Sequence, residues 1–186
     1  MRKKVMAATG LIAVAIAGYM FVGGSEKNTA STNNTSTNNT NVTQDVKKLV
    51  SDYSLRNIKA ESASITSQQL IVTDEESKSL TYELPENEFF VSTAPYVEET
   101  HPCAIHSLTG CQGEMVNEEF NVQIVDMEGN SILDKTLKSQ ANGFIDLWLP
   151  RDKKYCVTIE HNGKTVESEI STFKDDDTCI STMQLI

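Results

Sequence analysis

The chain has 186 residues, a formal net charge of −10 at pH 7, four cysteines and three histidines. That length leaves room for one ordinary domain or two small ones. The acidic balance argues against nucleic acid, which rewards basic surfaces; otherwise it describes a soluble exterior, compatible with attracting cations.

Arg2, Lys3 and Lys4 precede an uncharged run from Val5 to Val22, the pattern of a positive n-region followed by a hydrophobic core. Residues 1–24 therefore read as a signal peptide or an N-terminal membrane anchor. The run is at the short end of a bilayer span, so both readings stay open. Gly23, Gly24 and Ser25 offer a cleavage region, and no cysteine lies there to carry a lipid. Either way the basic N-terminus leaves the rest of the chain outside the cytoplasm, at the cell surface, in a periplasm or secreted. Residues 25–43 are almost wholly Asn, Thr and Ser and are expected to form a disordered linker, because they carry too little apolar surface to fold.

Val46, Leu49, Val50 and Tyr53 repeat at helical spacing after Thr43, which predicts an amphipathic helix with Thr43 as a cap. Leu70 to Thr73, a polar turn at Asp74 to Lys78, and Leu80 to Leu84 predict a hairpin. Glu88 to Val97 reads as a strand delivering the chain into Thr100-His101-Pro102-Cys103. Phe120 to Val125 and Ile132 to Leu137 flank a turn at Glu128-Gly129-Asn130, and Asn142-Gly143 precedes a strand ending at Pro150. Tyr155, Val157 and Ile159 alternate up to the turn His161-Asn162-Gly163-Lys164, with Val166 to Phe173 as the return. Short strands at this regular spacing predict a mainly β protein: a small α+β N-terminal part at 44–97, then at 98–186 a metal-binding loop and a C-terminal antiparallel β-sandwich.

His101, Cys103, His106 and Cys111 crowd into one short loop. Thiolates and imidazoles select soft or borderline metals such as Cu(I) and Zn, whereas carboxylates alone suit Ca or Mg. Spacing by itself favours a disulfide framework over a metal site, since an even number of cysteines in an exported chain commonly pairs and Cys-x7-Cys is not a zinc-finger spacing; the histidines are what keep the metal reading open. A Cys103/His106 nucleophile pair would need an oxyanion site and an orienting group that the sequence does not display, so no catalytic residue is assigned. His161 falls in a turn, where solvation is the ordinary outcome, and Cys156 faces away from Tyr155, Val157 and Ile159. Met115, Met127 and Met183 could offer thioethers to Cu(I), but methionine more often fills a core.

The run Phe89-Phe90-Val91-Ser92-Thr93-Ala94-Pro95-Tyr96-Val97, continuing through Thr100-His101-Pro102-Cys103-Ala104-Ile105-His106-Ser107-Leu108-Thr109-Gly110-Cys111-Gln112-Gly113-Glu114-Met115, resembles the CueP family of periplasmic copper-binding proteins. The likeness extends from about Ser64 to the C-terminus, through Asn142-Gly143-Phe144-Ile145-Asp146-Leu147-Trp148-Leu149-Pro150-Arg151-Asp152 and Cys179. The resemblance implies copper binding by Cys103, Cys111 and Cys179 with His101 and His106 nearby, and an N-terminal part linked to homodimerisation. Cys156 lies outside that set. It also implies no enzyme activity and a copper ion, Cu(I) in preference, as partner in copper tolerance by sequestration or delivery; the ligand types themselves suit zinc as well. A copper-receiving protein, a thiol reductant and a membrane contact through an uncleaved N-terminus complete the expected partners. The tether departs from a simple periplasmic protein and points to a cell-surface version. Two alternatives stand beside this reading: a thiol redox protein that reduces Cu(II), and a disulfide-stapled surface sandwich without metal.

Overall fold

Apolar side chains at every second position give a strand one buried face, and a continuous apolar run gives it two. Both patterns occur in the structure, a computed structural model that describes residues 35–186. In chain order they form α1 (Thr35–Ser54), β1 (Ser62–Ile65), β2 (Gln69–Thr73), β3 (Ser79–Glu83), β4 (Glu88–Thr93), β5 (His106–Ser107), β6 (Glu119–Asp126), β7 (Ser131–Lys138), β8 (Ile145–Pro150), β9 (Lys154–His161), β10 (Lys164–Ser171) and β11 (Cys179–Ile180).

Three sheets result. The first has the order β3-β2-β1-β5, the second β11-β4-β8 and the third β10-β9-β6-β7. The third is antiparallel throughout, while β11 joins β4 in parallel. The molecule is thus mostly β with one helix, and the second and third sheets make the sandwich.

Alternation decides which faces meet. Phe120, Val122 and Ile124 of β6 and Tyr155, Val157 and Ile159 of β9 share a buried cluster with Phe89 and Val91 of β4 and with Ile145, Leu147 and Leu149 of β8. The other face of β4 presents Phe90, which joins Trp148 of β8, Val46, Val50 and Tyr53 of α1, and the first sheet's Ala63, Ile65, Leu70 and Val72. The run Phe89-Phe90-Val91 therefore serves two cores at once, and each of the three side chains is at most 1 % exposed.

The hairpin turns follow the local sequence. Asn162 and Gly163 both take positive φ, 51° and 79°, which suits a two-residue turn between twisted strands. At the β6–β7 turn the Asp126 carboxylate accepts from the Glu128 and Asn130 amides. The helix starts at Thr35 rather than Thr43, so it includes part of the Asn/Thr-rich tract. The stretch from Val5 to Val22 and the first half of that tract lie outside the described residues. Among the described residues no helix is long and apolar enough to cross a membrane.

Candidate metal centre

Residues 98–113 form a loop between β4 and β6 that is fastened at four places. At its neck the Glu114 carboxylate accepts from the amides of Val97 (2.7 Å), Glu98 (3.0 Å) and Glu99 (3.3 Å). Those donors, Val97 first, hold the Glu114 carboxyl below the usual carboxylate range. Thr100 Oγ1 donates to the Ser181 carbonyl at 2.6 Å. The Ala104 carbonyl accepts from the amides of Thr178 (2.9 Å) and Cys179 (3.1 Å), which brings β11 against the loop.

The fourth fastening is at the far side. The Gly113 amide donates to the Asn142 carbonyl at 2.6 Å, and the two backbones touch: a Cβ on Gly143 would stand 2.7 Å from the Gly113 carbonyl oxygen. Gly143 also has φ +79°, a conformation that glycine adopts without penalty. Asn142-Gly143 thus acts as a clamp on the loop, as well as the turn that the sequence indicates. It carries Phe144 beneath the loop as its apolar floor.

Two short strands then bring the ligand types together. β5 pairs with β1, Ile65 opposite His106, and the His106 amide donates to Thr178 Oγ1, which itself donates to the Ile65 carbonyl at 2.6 Å. β11 places Cys179 opposite Ser92 of β4. Cys111 turns back on β5, its amide donating to the Ser107 carbonyl and its Sγ accepting from the Ser107 amide at 3.4 Å.

The ligand atoms form two overlapping groups: His101, Cys103 and Cys111, and His106, Cys111 and Cys179, each mutually within 4.8 Å. Cys103 Sγ lies 3.5 Å from Cys111 Sγ, and all four cysteines are free thiols. Cys179, Ala94 and Phe144 line the pocket together with Cys111. The Phe144 ring is 4.6 Å from that of His106 and 6.4 Å from that of His101.

The electrostatics make Cys111 the charged sulfur. A hydrogen bond from Cys179 pulls its proton affinity far below the ordinary thiol range, with help from His106, the Ser107 amide and His101. Cys179 is raised in return, first by its bond to Cys111 and then by burial. Burial likewise raises Cys103. The hydrogen bonds of the cluster thus favour the thiolate form at Cys111, the form that binds metal.

His106 supplies the test of fit. It is fully buried, and among the described residues neither ring nitrogen has a hydrogen-bond partner. An orphaned polar group in such a place costs about 1–3 kcal/mol. One nitrogen lies within 4.8 Å of both Cys111 and Cys179 sulfurs, so an imidazole-binding soft metal would satisfy it.

The five residues that the sequence singles out, His101, Cys103, His106, Cys111 and Cys179, thus lie together. Cys156 and His161 do not join them. Cys156 sits on β9 opposite Glu169 and Val125, and His161 Nδ1 lies 2.8 Å from the Glu119 carbonyl. Met183 is buried and Met115 partly so, as core residues, whereas Met127, in the β6–β7 turn, is 60 % exposed and fills no core. Sequence reasoning missed Phe144 as the pocket floor, Thr178 as the link between β5 and β1, and Glu114 as the neck clasp. Only their closeness to the cysteines in the sequence could have drawn attention to Glu114 and Thr178.

A family model described as periplasmic copper-binding protein CueP matches residues 44–184. The chain belongs to the CueP family. The crystal structure of S.CueP is similar over 76 % of this chain and 89 % of that one, with 39 % identity and a TM-score of 0.71. Comparison with curated proteins gives no match. The family is described as periplasmic copper-binding proteins, and the Cys/His cluster is compatible with that function.

Proposed function

We propose that this CueP protein binds Cu(I) outside the cytoplasm, using Cys103, Cys111 and Cys179 as thiolates and His101 or His106 as a completing or exchanging ligand. The observation that carries this is His106, a buried imidazole with both nitrogens unpaired beside two sulfurs in an apolar pocket. Soft sulfur favours the reduced ion over Cu(II). The same ligands accept zinc, so competition between Cu(I) and Zn belongs in the assay. Ligand atoms come from β5, β11 and the loop of residues 98–113, so bound metal adds its binding free energy to folding.

The role is sequestration or delivery in copper tolerance, with a copper-receiving protein as partner in the second case. Export by the N-terminal segment and the family's location support a place outside the cytoplasm. Cu(I) titration of the Cys103→Ser, Cys111→Ser and Cys179→Ser variants tests the assignment. We expect weaker binding across the set, greatest for Cys111→Ser. Undiminished binding in all three would overturn it.

The 3.5 Å approach of Cys103 and Cys111 sulfurs favours a second activity at the same place. Two Cu(II) ions would take one electron each from the two thiols, giving two Cu(I), a Cys103–Cys111 disulfide and two protons. An external thiol reductant would then reopen the site. Cu(II) added anaerobically should yield Cu(I) with an equal loss of free thiols. Thiols that survive with no Cu(I) formed would remove this reading.

A further inference from the structure

We infer that the centre has two stations, an outer one at His101, Cys103 and Cys111 and an inner one at His106, Cys111 and Cys179, between which a single Cu(I) moves while Cys111 stays bound. The inference rests on the reading that this cluster takes Cu(I) and adds where the ion enters, where it rests and in which order its ligands change.

Three observations carry it. The candidate ligands fall into two groups that share one atom, Cys111 Sγ, and each group is mutually within 4.8 Å. The groups differ sharply in access: His101 and Cys103 are half-buried, while His106 is 0 % and Cys179 1 % exposed. The shared sulfur also lies between the two groups, 3.5 Å from Cys103 Sγ and within 4.8 Å of Cys179 Sγ.

An ion arriving from solvent meets His101 and Cys103 first and gains Cys111 without any movement of the fold. Passing inward exchanges His101 and Cys103 for His106 and Cys179. The Cys179 thiol gives up its proton as its sulfur binds the ion, and Cys103 takes one up as it lets go. No electron changes hands. The inward step satisfies the unpaired His106 nitrogen and places the ion against Phe144, out of reach of water. Outward exchange presents the ion at Cys103 beside Ile105, which is 58 % exposed, where an incoming ligand can attack.

Thiol alkylation of the wild-type protein carrying one equivalent of Cu(I) tests the resting position without any mutation. Cys103 should react at nearly its metal-free rate while Cys111 is protected; equal protection of both would overturn the inference. Chelator competition on variants tests the order. His101→Ala and Cys103→Ser alter accessible positions and should weaken Cu(I) binding only modestly, by up to about tenfold, while slowing removal by chelator. Cys179→Ser should lower affinity more than about 100-fold, past the range of a lost supporting partner, and speed removal. A uniform fall in affinity with no opposed change in exchange rate would mean one indivisible site and overturn the two stations. Full wild-type binding in Cys111→Ser, by contrast, would dispose of the copper site itself.

Discussion

Two places in the molecule hold a cysteine and a histidine, and they differ in what surrounds them. On β9, Cys156 and His161 stand on the third sheet, and both His161 nitrogens lie 2.8 Å from a neighbour, Nδ1 from the Glu119 carbonyl and Nε2 from the Asn162 amide group. In the loop pocket, His106 is wholly buried with neither nitrogen partnered, beside Cys111 and Cys179. Residue type is therefore a poor guide to a metal centre. The pocket is distinguished by polar atoms that the fold buries and leaves unsatisfied, next to two cysteine sulfurs.

The comparison can be broken by exchanging the histidines' roles in copper binding. We expect His106→Leu to lower Cu(I) affinity by about 100-fold or more, at or above the effect of losing a supporting partner, whereas His161→Ala should leave it unchanged in the same chelator titration. A smaller but still large effect belongs to the pocket floor. Phe144 is fully buried, and Phe144→Ala should cost about 3–5 kcal/mol in urea unfolding of the metal-free protein.

The neck of the loop sharpens the contrast through pH. The Glu114 carboxyl is held below its usual value by the amides it accepts from. A carboxyl whose folded value is depressed contributes its stabilisation above its unfolded value and loses it as pH falls through the folded one. Copper-loop order should thus be complete at neutral pH and decline below about pH 4.5, near the unperturbed carboxyl range. Protection of the Val97, Glu98 and Glu99 amides relative to their intrinsic exchange rates should fall there, and Glu114→Gln should show the lowered protection already at pH 7. The smallest effect is reserved for Cys156, where Cys156→Ser should change stability by no more than about 0.5 kcal/mol and leave copper stoichiometry intact.

Much of this was legible in the sequence, for reasons that differ by element. The long strands β6 and β9 announce themselves by alternation, and β2 and β3 by the polar turn between them. Asn162-Gly163 sits where its φ values are needed. The two elements that build the pocket, β5 and β11, are two residues each, too short to carry a period. What holds them is tertiary: Ile65 opposite His106, and the Ala104 carbonyl bonded to Thr178 and Cys179.

The ligand set was accessible through the family's motif, but the depth of each ligand was not. His106 follows Ile105, which is exposed, so its neighbours in sequence do not announce its complete burial, which comes from Phe90, Phe144 and β1 closing around it. The helix start differs for a plainer reason. Asn and Thr are weak helix formers, so residues 35–43 give no helical signal of their own, and the helix carries them as an extension of its apolar stripe at Val46 and Val50.

On the copper-binding function we propose, His106 is buried unsatisfied because a metal ion completes it. The most direct measurement pairs two numbers on one variant, the metal-free stability and the Cu(I) affinity of His106→Leu. Removing an orphaned imidazole in favour of an apolar side chain should leave the metal-free protein as stable as wild type, or more stable by about 1 kcal/mol, while copper affinity collapses. A variant that loses several kcal/mol of stability, or that binds Cu(I) as wild type does, would contradict the claim.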